Sequence, residues 1–205
     1  MAENNTVLVV AVLAVIASLA AAGFSYYSLS AAPGVSGFAS SSAGTASLSV
    51  QSLTEINFVD SAIAWGTVSF NASATSVTLD SVDGSVLNGH ASTPDNTGLV
   101  LENDGNDVVS VTLAAGSSAA TFIGGTSPSY QWKVSASNGG RDGCPSGNRT
   151  ISSYTNTATS DTAACSGLGF VDSADQMRVD VKLVVPYDAP RTSDSDTITA
   201  KATEA

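Results

Sequence analysis

The feature that most constrains this chain is an uninterrupted apolar run near its N-terminus. Val7 to Ala22 reads VLVVAVLAVIASLAAA without a charge, and Phe24, Tyr26, Tyr27 and Leu29 extend it. A bilayer-spanning helix needs ~20 apolar residues, so a long hydrophobic helix is expected over residues 1–30. Its apolar positions run all the way round such a helix, which demands burial on every side. Three roles meet that demand: the core of a helix bundle, a membrane anchor, or a cleaved secretory signal. Only Glu3 is charged ahead of the run, whereas a secretory signal carries a basic n-region. No Lys or Arg flanks the run, so charge asymmetry does not orient it in a membrane. Its wealth of Ala, with Ser18, Gly23 and Ser25, suits close helix–helix approach. The bundle is therefore the favoured role, with Val7, Val10, Leu13, Ala14, Ala17, Leu19 and Phe24 as assembly positions.

Residues 31–44, AAPGVSGFASSSAG, cannot continue a helix and read as a hinge. From Thr45 the apolar period changes to two. Leu48 and Val50 alternate with serines. EINFVD, AIAWGTVSF (with a bulge expected at Gly66) and TSVTLD follow. GLVLEN and DVVSVTL flank a turn at Asp104-Gly105, whose residues tolerate positive φ. SYQWKVSA, RVDVKL and DTITAKAT complete the set; RVDVKL is expected to bury three apolar side chains and expose three charges. Short alternating segments separated by turn residues indicate an antiparallel sandwich. The expected fold is thus α+β: a long N-terminal helix, then an Ig-like β-sandwich head over residues 45–205. Trp65 and Trp132 fall at inward positions of that head. The Thr-rich C-terminal strand is expected inside a sheet rather than at its edge, although edge strands can join subunits.

Acidic residues outnumber basic ones 18 to 7, the net charge is −11, and the first cation is Lys133. Phosphate recognition needs clustered Lys and Arg, so nucleic acid is not an expected partner. Such a balance suits an exported protein in a crowded or saline medium. Cys144 and Cys165 flank RTISSYTNTATSDTAA, a stretch with little to pack. A disulfide closing it would stabilise by roughly 3 kcal/mol and imply an oxidising compartment; two reduced thiols are the alternative. Oxygen donors at Glu102, Asp104 and Asp107 resemble a calcium loop but lack its full spacing and terminal Glu, and a plain hairpin, the favoured reading, explains them without a metal. His90 is the sole histidine, without the context of a nucleophile motif. No catalytic constellation, cofactor site or metal site is therefore expected. Asn4, Asn71 and Asn148 head N-x-[ST] motifs, acceptors for glycans on an exported chain.

An apolar run, a Gly/Pro/Ser hinge and a β head with glycosylation motifs together resemble archaeal surface-filament subunits, the type IV pilins and archaellins. AIAWGTVSF, GLVLENDGNDVVSVTL, FIGGTSPSYQWKV and DQMRVDVKLVVPYDAP followed by DTITAKAT are similar to a group of poorly characterised surface proteins of small-genome archaea. The resemblance implies an extracellular structural subunit, partnered by copies of itself in a helical homopolymer and held in the membrane before assembly. A monomeric, membrane-tethered adhesion or envelope module is the alternative. The chain departs from the pilin pattern in having no basic peptidase site ahead of the run.

Overall fold

The computed structural model describes residues 48–137, 139–192 and 194–205. The expected helix with its positions Val7, Val10, Leu13, Ala14, Ala17, Leu19 and Phe24, the hinge at 31–44, and Asn4 lie outside those residues. Val50–Ala205 form one compact unit.

In chain order the strands are β1 (Ile56–Asp60), β2 (Val68–Phe70), β3 (Ser76–Asp80), β4 (Ser85–Leu87), β5 (Gly89–Ala91), β6 (Leu99–Asn103) and β7 (Val109–Ala115). A single helical turn, α1 (Ala119–Phe122), precedes β8 (Ser129–Ala136), β9 (Thr155–Asn156), β10 (Thr162–Leu168), β11 (Gln176–Pro186) and β12 (Ile198–Glu204). Ser118 caps α1 by accepting the Thr121 N–H.

The expected α+β class is corrected by these elements. Among the described residues the chain is β throughout, with α1 as its helical content, and no helix is long and apolar enough to cross a membrane. The four-plus-three sheet plan of an Ig constant-type domain is also absent. Seven strands form one sheet, β10-β7-β12 a second, and β2-β5 a small third. The arrangement is still sandwich-like. Leu79, Leu101, Trp132, Met177 and Val179 from the large sheet share one buried cluster with Val109, Val111 and Leu113 from the three-stranded one.

The long strand β11 organises the large sheet. Along one edge it pairs with β8, from Met177↔Ala136 to Val184↔Ser129. The other edge is divided: Gln176–Val179 pair with β6, then Lys182–Pro186 pair with β3. A strand flanked on both edges and covered on both faces cannot keep a wet side. The expectation that RVDVKL exposes its three charges therefore fails at two of them: Arg178 and Asp180 are buried, while Lys182 stays partly exposed. They meet where β6 gives way to β3. Arg178 Nε lies 2.7 Å from Asp180 Oδ1, with side chains 6% and 1% exposed. Arg178 Nη2 donates to the carbonyls of Ser81, Val82 and Asn96. Ser135 donates to the second oxygen of Asp180 at 2.6 Å. Burying charges is tolerable only when they are paired, as they are here by this ion pair and its surrounding hydrogen bonds. Gly98, at φ +65°, keeps the crossing open, since a Cβ there would lie 2.8 Å from Arg178 Nε.

Candidate assembly surface

A sheet edge is functional material only if it is long, regular and uncovered, because natural folds usually blunt their edges. Most edges here are blunted. β4 has three residues and β9 two. β1 breaks register between Phe58 and Asp60. β10 is bulged twice, and its outer side is covered by 148–150, through Thr150 N–H to Ala164 O and Ser166 N–H to Asn148 O. β12 differs. It follows β7 without a register shift from Ile198↔Ala115 to Glu204↔Val109. Gly116 N–H bonds Thr197 O and Ala205 N–H bonds Val108 O, so the odd-numbered residues turn their main-chain groups towards β7. Strand geometry then points the N–H and C=O of Ile198, Ala200, Ala202 and Glu204 outward. No strand pairs with that side among the described residues. The expectation that the C-terminal strand is internal is thereby overturned. Lys201, the residue type that often guards an edge, is instead drawn across β7 to Asp161 at 2.8 Å.

At the β6–β7 turn, a strap from the N-terminal side crosses the structure. Asn106 accepts the Leu53 N–H through Oδ1 at 2.6 Å, donates its own N–H to Leu53 O, and donates from Nδ2 to Gln51 O. Asp104 N–H bonds Glu55 O. Gly105 owes its place to this crossing rather than to positive φ, because a Cβ there would lie 2.2 Å from Leu53 O. The calcium-loop residues are committed elsewhere. Glu102 accepts from Arg141 Nη2 at 3.0 Å and from Gln176 Nε2 at 2.7 Å. Asp107 accepts the Val108 N–H and the Ser52 hydroxyl, while Asp104 is exposed. No group of three potential metal ligands gathers among the described residues.

Cys144 and Cys165 are bonded. An oxidising environment follows from the bridge. Both sulfurs sit in the core, so the bridge is an internal tie rather than a surface staple, and the loop it closes is better packed than its composition suggests. Ile151 is buried and its carbonyl accepts the Val134 N–H. Tyr154 lies between Lys133 and Lys182, each 4.8 Å from its ring, and its hydroxyl donates to Asp80. Burial, then Asp80, hold its phenol well above the usual range. Beside the bridge, Arg149 donates to Cys144 O and pairs with Asp142. Arg141 joins Glu102 to the buried Asp175, whose carboxyl is raised above its ordinary value chiefly by burial.

A groove of about 800 Å³ opens between the 70–76 and 184–188 segments. Phe70 and Tyr187 meet edge to face with centroids 5.5 Å apart. Asp188 accepts the N–H and hydroxyl of Thr126, and these two bonds hold its carboxyl below the usual range. The sequence reading missed this groove because its walls are more than 100 residues apart in the chain. Asn71 lies exposed on its rim, in a turn closed by Ala74 N–H to Asn71 O. Asn148 is half-buried and donates from Nδ2 to Gly167 O at 3.0 Å, leaving Asn71 the more accessible acceptor of the two. His90 lies exposed in β5 opposite Ser69. Trp132 is fully buried and Trp65 partly so. No protein-family model matches the chain, and no curated protein or solved structure matches it either.

Proposed function

We propose that this chain is a structural subunit of an extracellular homopolymer on an archaeal cell surface. The observation that carries the reading is the outer edge of β12, seven residues long, in register throughout and unpaired among the described residues. An edge of that kind is a template for another chain. An edge left open among the described residues, where the other edges are short, bulged or covered, suits continuation by another chain. The apolar run Val7–Leu29 holds the chain in the membrane before assembly and needs burial against copies of itself afterwards. The internal disulfide and the excess of acidic groups fit life outside the cell. The resemblance to archaeal filament subunits supports the same reading.

The test is to shear cells producing the full chain without detergent, image the released material by electron cryomicroscopy, and map its N-terminal peptides. Filaments built from this chain are the expected result. Recovery solely from membranes, as a detergent-released monomer, would overturn it. That outcome would favour a tethered adhesion module, which the Phe70–Tyr187 groove would suit.

A further inference from the structure

We propose that the open edge of β12 receives residues Thr45–Val50 of a second copy as an added strand. The inference rests on the homopolymer reading and specifies the contact between copies. The recipient offers four outward N–H groups and four outward carbonyls, those of Ile198, Ala200, Ala202 and Glu204. Its inward side chains are Ile198, Ala200 and Ala202, packed against the core, and the opposite face carries Thr199, Lys201 and Thr203. The donor stretch, TASLSV, has the same binary pattern. Ala46, Leu48 and Val50 fall on one face and Thr45, Ser47 and Ser49 on the other, as strand geometry requires. Added beside β12, its apolar face would extend the core and its hydroxyl face would extend the Thr/Lys surface.

The described residues of the donor, 48–50, are left unsatisfied within their own chain. Leu48 and Val50 are 89% and 75% exposed, and residues 48–50 belong to no strand. Among the described residues, an apolar stretch at 48–50 without a sheet and a sheet edge without a strand are complementary vacancies. Head-to-tail addition satisfies both in every copy, and such heterologous contacts propagate into open filaments when the rotation does not close. The strap through Gln51 and Leu53 to Asn106 fixes the point from which the donor departs.

The test uses two full-length variants. Leu48→Asp with Val50→Asp spoils the donor. Ala200→Pro spoils the recipient: the Ala200 N–H points away from β7, so proline removes no bond within the head. In assembled wild-type material, amide exchange at Ile198, Ala200, Ala202 and Glu204 is expected to slow by roughly 100-fold relative to dispersed chain. The donor variant alone should exchange fast at those four amides. Adding the Ala200→Pro chain, whose donor is intact, should restore their protection. Fast exchange in assembled wild type, or full protection in the donor variant alone, would overturn strand addition and leave the homopolymer standing. A wild-type chain that never assembles would overturn both.

Discussion

At the residue scale the decisive position is Arg178. Its guanidinium satisfies Asp180 and three carbonyls where β11 changes partners from β6 to β3. Removing one member of a buried pair leaves the other charged and unsolvated, at a cost of about 3–5 kcal/mol. Arg178→Met is therefore expected to lose stability on that scale in urea denaturation. The double change Arg178→Met with Asp180→Leu should lose less, because no orphan charge remains. Equal losses in the single and double variants would show that the carbonyl contacts, not the ion pair, dominate. This role was hidden in RVDVKL, where alternation alone assigns Arg178 and Asp180 to solvent. Which face of a strand is wet depends on what covers it, and the covering segments around Ser81 and Asn96 lie more than 80 residues away.

At the scale of elements, period-two patterning located β1, β3, β6, β7, β8, β11 and β12 because each alternates cleanly. It missed β4, β5 and β9, which are short, and β10, whose TAACSGL is small-residue-rich and twice bulged. It also marked Leu48–Val50 as strand-like, whereas the single chain supplies that segment with no sheet. Pairing order was beyond reach, since β11 draws its partners from both halves of the head. The two cysteines were legible as a bridge, but its depth was not. With both sulfurs in the core, replacing Cys144 and Cys165 together by Ala should cost about 2–5 kcal/mol. Melting temperatures of the variant and wild type would measure this. An unchanged value would mean that Ile151 and Tyr154 hold the loop without the bridge.

At the scale of the molecule, most of the few cations are spent on contacts within the head. Arg141, Arg149, Arg178, Lys182 and Lys201 each meet a carboxylate, and Lys133 lies over Tyr154. The uncompensated charge of this protein is acidic, as its composition gives, while the use of most of its basic residues as ties between segments was not readable from spacing. The strap on the β6–β7 turn has a mechanical consequence. That turn joins the seven-stranded sheet to the three-stranded one, so tension entering through residue 50 reaches both at their shared corner before it can peel β1. The three bonds of Asn106 take the first load together. In single-molecule pulling between the chain termini, Asn106→Ala should lower the first rupture force, and an unchanged force would show that β1 or the edge strand β12 yields first. A head tethered in this way gives like a seat belt, by a short yield at one anchor, and keeps its folded cargo intact under pull.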